Sequence, residues 1–184
     1  MPYPKYLPII ALISSLLFAC STDDEIGKLD KDANPNIETV QKPHITYSDM
    51  GNVRVLVQAP LLLRHKDKDP YTEFPEGIKV TFFDNNATAN GTLTADQATR
   101  YEKDRSTTIK GNVLWQNALR NERLETEELI WDEKTQKIIS NKTVKVTTDT
   151  EQITGEGLEA AQDFSRYKIK YITGTLKLKS GQFW

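Results

Sequence analysis

The sequence predicts an all-β domain of antiparallel strands in two layers, arranged as a β-jellyroll or an open β-sandwich. After residue 44, short runs of alternating apolar and polar residues dominate the chain, which is the pattern of half-buried strands. Turn-forming pairs such as Asn90-Gly91 and Asn141-Lys142 separate these runs, at a spacing of roughly 8–12 residues that is typical of antiparallel domains. No proline follows Pro75, so that part of the chain is free of a residue that central strands exclude.

The first 19 residues predict an export signal. An apolar run over residues 6–18 is shorter than the roughly 20 residues needed to span a bilayer. It ends in Leu17, Ala19 and then Cys20, the only cysteine of the chain, and this arrangement resembles a bacterial lipoprotein signal. We therefore expect cleavage before Cys20 and lipidation of its thiol, which would anchor the protein to a membrane. A plain secretory peptide is the alternative.

Residues 20–43 predict a flexible tether behind the lipid anchor, because they are polar and poor in aromatic side chains. The acidic run Asp23-Asp24-Glu25 also resembles the surface-export signals of Bacteroidetes lipoproteins, although a solvated linker is the simpler interpretation. The folded domain is expected over residues 44–184.

Within this domain, two segments and one acidic stretch need separate interpretation. Residues 95–105 contain helix-forming residues but also alternate, so we predict a strand, and residues 157–164 predict a strand or an irregular turn. The stretch LETEELIWDEKTQKIIS (124–140) predicts a hairpin whose carboxylates are divided between two faces and a turn. Uninterrupted alternation places Leu124 and Ile130 on one face. The clearest strand patterns lie at residues 52–58, 78–83, 143–148, 167–173 and 175–180.

No motif in the sequence predicts catalysis. The two histidines, His44 and His65, have no paired nucleophile, and no pair of cysteines or histidines has metal-ligand spacing. The run Asp84-Asn85-Asn86 begins like a calcium loop but lacks the later glycine and glutamate. A net charge of −2 does not favour nucleic acid, which usually binds a concentrated basic face. We therefore expect a protein that is not an enzyme and has no cofactor or metal.

Apolar surface is what remains as a candidate site. A two-layer β fold that is splayed open can hold an acyl chain between its layers, although ordinary core packing explains any single residue equally well. The candidates for a lipid groove are Val55, Val57, Ile78, Val80, Phe82, Val113, Trp115, Ile130, Val144, Val146, Ile169 and Tyr171.

Several longer motifs together resemble the LptC family of lipopolysaccharide-export proteins, in the lipoprotein form found in Bacteroidetes. They are FPEGIKVTFFD (74–84), LTAD (93–96), KGNV (110–113), the stretch at 124–140 and GEGLEAAQDFSRYKI (155–169). The resemblance covers roughly residues 47–174.

The resemblance implies a periplasmic β-jellyroll, related to LptA, that binds the acyl chains of lipid A without enzymatic activity. Its expected partners are lipopolysaccharide, the inner-membrane ABC transporter that supplies it, and an LptA-like protein joined by edge-strand pairing. Enteric members carry a transmembrane helix where this chain has Cys20. We therefore expect a membrane-anchored periplasmic lipoprotein, held in the inner membrane in preference to the cell surface.

Two other functional classes stay open at this point. A surface lipoprotein that binds glycans or proteins would account for the acidic run after Cys20. An enzyme acting on envelope polysaccharide would need a cleft of carboxylates, and the spacing of acids in the sequence does not indicate one.

Overall fold

The computed structural model describes residues 34–173. These residues form strands and turns, which confirms the all-β prediction, and all the strands belong to the unit Pro35–Trp184. No helix within this part of the chain is long and apolar enough to cross a membrane. The strands are β1 Ile37–Gln41, β2 His44–Asp49, β3 Asn52–Gln58, β4 Leu61–His65, β5 Tyr71–Phe74, β6 Ile78–Phe83, β7 Ala89–Ala95, β8 Gln97–Tyr101, β9 Ser106–Asn117, β10 Glu122–Asp132, β11 Lys137–Thr147, β12 Gln152–Ala161 and β13 Tyr167–Ile169.

The strands form one antiparallel sheet that branches at β9. The first half of β9 pairs with β8, which continues through β5 and β4 to β1. The second half of β9 pairs with β7, which continues through β6 and β3 to β2. On its other side, β9 pairs along most of its length with β10, followed by β11, β12 and β13. The branch therefore divides the sheet into two layers, which we call the first layer (with β8) and the second layer (with β7).

The four long strands pass through both layers because each is irregular near its middle. Gly111 and Asn112 of β9 and Gly157 of β12 have positive φ angles. The pairing register shifts at Thr126/Glu128 in β10 and at Ser140/Thr143 in β11. These irregularities align across the sheet. Since a bulge bends its strand and increases the local twist, a row of bulges turns one half of the sheet over the other.

The chain crosses between the layers at Asp96, the one residue between β7 and β8. The Asp96 backbone N–H donates to Gly111 O at 2.9 Å, and Asn112 Nδ2 donates to Asp96 Oδ2 at 2.7 Å. A Cβ at Gly111 would lie 2.5 Å from Asp96 Oδ2. Glycine at position 111 therefore permits both the left-handed backbone of the bulge and the close approach of the crossing chain.

Several predicted strands are confirmed, whereas the turns predicted at Asn90-Gly91 and Asn141-Lys142 lie inside β7 and β11, and two further segments also differ from the prediction. The predicted strands at residues 52–58 and 78–83 coincide with β3 and β6, and the ambiguous segment 95–105 contains β8 and no helix. The predicted strand at 167–173 is limited to β13, Tyr167–Ile169. Strand β1 lies inside the segment 20–43 that was expected to be a tether, because Val40 packs against the core. The predicted signal, Cys20 and the predicted strand at 175–180 lie outside the described residues.

Glu133, in the turn between β10 and β11, connects this hairpin to β8. Arg100 Nε donates to Glu133 Oε1 at 2.7 Å and Arg100 Nη2 donates to Oε2 at 3.2 Å, a bidentate geometry that is stronger than a single contact. Arg105 Nε lies 3.8 Å from Glu133 Oε2, and the Glu133 side chain is only 13% exposed. This carboxylate of the predicted turn is therefore a structural ion-pair partner.

Replacing Glu133 by glutamine is expected to destabilise the protein more near neutral pH than in acid. The hydrogen bonds from Arg100, with the charges of Arg100 and Arg105, hold the pKa of Glu133 below its usual value. Its contribution is thus present above the unfolded-state pKa of about 4.3 and is lost as pH falls through the lower folded-state value. We expect a loss of about 1–3 kcal/mol at pH 7 and a clearly smaller loss at about pH 3, which is below the unfolded-state pKa. Urea titration with pulse proteolysis at both pH values measures this.

Exposed Glu127, in the β10 bulge, supplies the control for Glu133→Gln. Glu127→Gln removes the same charge from the same hairpin and should leave the urea midpoint unchanged at both pH values. Equal effects of the two substitutions would contradict the role assigned to the Arg100–Glu133 pair.

Candidate functional site

A continuous row of apolar side chains crosses the inner face of the second layer. Its members are in register from strand to strand: Val57 pairs with Ile45 and Val80, and Trp115 pairs with Leu93 and Leu124. Eight strands take part, so the row is about 34 Å long at the usual interstrand spacing of about 4.8 Å. The row comprises Ile45, Val57, Val80, Leu93, Trp115, Leu124, Val146 and Ile153.

The first layer carries a second row with the same direction. Ala98, Ile109 and Leu129 are successive partners in its centre. Buried residues of both rows belong to one hydrophobic core, so the inner faces of the two layers face each other, as in the predicted jellyroll. Further register pairs of the first-layer row are Val40 with Leu62, Phe74 with Ala98, and Leu158 with Ile169, and Leu158 also pairs with Ser140, the polar member of the row.

Burial is uneven along these rows. In the centre, Trp115 is 1% exposed and Leu124, Leu129 and Leu158 are fully buried. Towards the β2 edge, the row is formed by Ile45, Val57 and Val80, which pack on the core but remain partly exposed, as does Val40 of β1. The interior is therefore close-packed between β9 and β12 and accessible from solvent on the side of β1, β2, β3 and β6.

Most of the predicted groove residues lie in this interior. Their burial and packing place them there whether or not they contact lipid. The buried members are Ile78, Val113, Trp115, Val144 and Val146, and the partly buried members that pack on the core are Val57, Val80, Phe82 and Ile169. Val55 is half-buried beside Phe82.

Two predicted groove residues are not interior, and each has an identifiable reason. The bulge between Thr126 and Glu128 reverses the alternation of β10, so that Leu129 is buried and Ile130 lies on the opposite face. Trp131 consequently faces the core. Tyr171 follows the last residue of β13 and is 80% exposed, because the strand on which its inward orientation depended ends at Ile169.

Phe164 closes the interior beside Trp115 and was not predicted. It lies in the turn after β12, in the first layer, yet it is 0% exposed and stacks on Trp115 of the second layer with ring centroids 4.7 Å apart. Phe82 meets it edge-on at 6.2 Å. The one signal available in the sequence was a large apolar residue between polar neighbours, Asp163 and Ser165.

A polar network holds the Phe164 turn against the second layer. Arg120 Nη2 donates to Phe164 O at 3.0 Å, and the Arg120 guanidinium lies 5.8 Å from the Trp115 ring centre. Arg120 Nε also lies 3.4 Å from Glu122 Oε2, whose side chain is 7% exposed. Tyr167 donates its hydroxyl hydrogen to Glu122, and burial together with this hydrogen bond raises the pKa of Tyr167. These contacts hold the turn in place, so this end of the interior is closed to solvent.

No group of three or more histidine, cysteine or acidic side chains within residues 34–173 is arranged to hold a metal ion. Three of the buried polar residues, Thr126, Ser140 and Asn117, are used in local contacts. Thr126 Oγ1 donates to Thr143 O at 2.9 Å across the bulges, and Asn117 Oδ1 accepts from the Arg120 N–H at 3.0 Å. The described site is an apolar interior with polar ends.

Comparison with known families agrees with this geometry. A family model described as "Lipopolysaccharide-assembly, LptC-related" matches residues 7–174, and no curated protein matches the sequence. LptC proteins are components of lipopolysaccharide transport that act in the periplasmic export bridge, and they are not a known enzyme family. A match over most of the chain, together with an all-β structure of the expected kind, shows that this chain belongs to the LptC family and has a role in lipopolysaccharide export.

Proposed function

We propose that this protein binds the acyl chains of lipopolysaccharide between its two β-layers and passes them along the export route. The observation that carries the proposal is the pair of facing apolar rows, which run perpendicular to the strands across the whole sheet. A ligand with long hydrocarbon chains matches the apolar chemistry of these rows.

Burial of hydrocarbon surface would drive binding, at about 25 cal/mol per Å² removed from water. The partly exposed residues on β2, β3 and β6 offer apolar area that is not yet covered by protein. The close-packed part between β9 and β12 offers little. We therefore assign first contact with the acyl chains to the β2–β3–β6 side. Net movement in one direction would depend on the upstream ABC transporter, which supplies energy.

Open sheet edges support relay to an LptA-like protein. Among the described strands, β1 pairs only with β4 and β2 only with β3. Each thus presents backbone N–H and C=O groups along one side, which a neighbouring strand can pair with. Such an addition would continue the apolar rows into the partner, because both rows reach these edges at Val40 and Ile45.

Attachment to a membrane is assigned to Cys20. Removal of residues 1–19 and lipidation of Cys20 would leave a soluble β domain on a short polar segment, and several acyl chains anchor a protein where one alone does not. We propose the inner membrane as the site, since that is where the transporter lies.

Photo-crosslinking in cells tests the proposed function. A photoreactive amino acid at Phe82, which faces the interior, should capture lipopolysaccharide. The same substitution at Ile130, on the opposite face of β10 from buried Leu129, should capture at least tenfold less. Capture at Ile130 equal to that at Phe82 would show that lipid contacts the outside of the sheet and would refute the interior site.

A further inference from the structure

Two buried polar atoms on the inner face of the first layer have no hydrogen-bond partner within the described part of the protein. They are Thr107 Oγ1 and Trp131 Nε1. Thr107 and Trp131 are direct partners across β9 and β10, and Thr107 is 8% exposed. Buried polar groups are almost always hydrogen-bonded in native proteins, so an adjacent unpartnered pair indicates a partner that lies outside residues 34–173.

These two residues belong to a polar row that lies beside the apolar row of the first layer. Thr107 and Trp131 lie two residues from Ile109 and Leu129 on the same strands, and therefore on the same face. The register continues from Thr107 to Arg100, then to Thr72 and Arg64. On the side of β8, β5 and β4, the inner face thus changes from apolar to polar towards the turns at the end of the first layer, whereas on the other side Trp131 pairs with Ile138, which pairs with Ala160, and both are buried and apolar.

An amphipathic ligand fits this division. Hydrocarbon would lie along the apolar row, and the atoms that join it to the rest of the molecule would lie at the polar row. Arg64 and Arg100 of the polar row are already paired with Glu38 and Glu133, whereas Thr107 and Trp131 have hydrogen-bonding capacity unused.

The chemistry of the two atoms restricts the ligand group further. An indole N–H donates only, and a threonine hydroxyl can donate as well, so one acceptor oxygen can satisfy both. A charged oxygen is disfavoured beside an apolar row, because burying a charge without a counter-ion is costly. A carbonyl oxygen of an ester or amide satisfies these requirements.

We propose that Thr107 and Trp131 form a binding position for the carbonyl oxygen of an acyl linkage, at the boundary between the chains and the headgroup of the lipid. The proposal rests on the proposed function and adds to it a defined position for the lipid along the layer. If these two polar atoms serve only to bind a ligand, removing them should not destabilise the lipid-free protein. Polar atoms with a structural role would be needed for stability.

Thr107→Val and Trp131→Phe test the proposal, since each removes one polar atom and keeps most of the side-chain volume. With a photoreactive residue at Phe82, each variant should capture about three- to tenfold less lipopolysaccharide in cells, corresponding to one hydrogen bond. The double variant should lose less than the product of the two factors if both atoms bind the same oxygen. Thr107→Ser, which retains the hydroxyl, should restore capture.

A stability measurement distinguishes the alternatives. Removing an unsatisfied buried polar group should leave the urea midpoint of the lipid-free protein unchanged or raise it. A lower midpoint for Thr107→Val than for Thr108→Val, the adjacent residue on the opposite face, would overturn the proposal, because the hydroxyl would then serve the fold. Unchanged capture of lipopolysaccharide by Thr107→Val and Trp131→Phe would also overturn the proposal, but it would leave the proposed lipid site between the layers unaffected. Absence of capture by the unaltered protein at Phe82 would instead refute the proposed function.

Discussion

Val57→Glu is expected to abolish passage of lipid through the interior while leaving the fold intact. Val57 lies in the apolar row between Ile45 and Val80 and is only partly buried, so a carboxylate there can reach water in the lipid-free protein. With acyl chains in place the same group would be enclosed by hydrocarbon, which costs several kcal/mol for a polar group without a partner. The penalty therefore falls on the loaded state and not on the empty one.

Leu56→Glu provides a matched control for this prediction. Leu56 is the preceding residue of β3 and pairs with Thr46 and Thr81 on the opposite face. Both variants gain the same charge on the same strand. In cells that depend on the variant, Val57→Glu should cause lipopolysaccharide to accumulate in the inner membrane and reduce capture at Phe82 more than tenfold. Leu56→Glu should do neither. Similar defects in both variants would show that the added charge on β3 causes the effect, whichever face of the sheet carries it.

Much of the fold could be predicted because alternation and turn residues are local signals. The strands β3 and β6 coincide with sequence runs in which three apolar residues occupy alternate positions. Nine of the proposed groove residues are buried or pack on the core, because alternation determines facing wherever a strand is regular. The family resemblance added the jellyroll arrangement, which local patterns alone do not specify.

The errors arose where a strand is irregular. A single extra residue near Glu127 moves Ile130 to the outer face and Trp131 to the inner one, since a shift of one residue exchanges the faces of everything after it. Nothing local in LETEELIWD signals that bulge. It becomes necessary only because β9, β11 and β12 bend at the same level, which is a property of the assembled sheet.

The Phe164 turn could not be predicted for a related reason. Its burial depends on Trp115, Phe82 and Arg120, all of which are more than 40 residues away in the sequence and belong to the other layer. The bend in the sheet brings them together. Sequence patterns identified the middle of each layer, whereas contacts between the layers required the three-dimensional structure.

Trp115→Ala should have the largest effect on stability. The ring is 1% exposed and lies at the centre of the second-layer row, between Leu93 and Leu124, with Phe164 stacked on it. Truncating a buried tryptophan usually costs about 3–5 kcal/mol. We expect a loss in that range for the full chain, measured by urea titration with pulse proteolysis. Trp131→Ala, at a half-buried position, should cost less.

The same substitution should also release the Phe164 turn before the rest of the domain unfolds. Without the indole, Phe164 loses its stacking partner, and Arg120 loses the ring beside which it lies. The side chain of Arg166 is already exposed in this turn. Once the turn is released, its backbone can unfold locally and trypsin can cleave after Arg166 under native conditions. Cleavage after Arg166 in Trp115→Ala but not in Trp131→Ala is the expected result. If both variants are cut equally, general destabilisation explains the cleavage, and contact between the layers at Phe164 is not what holds the interior closed.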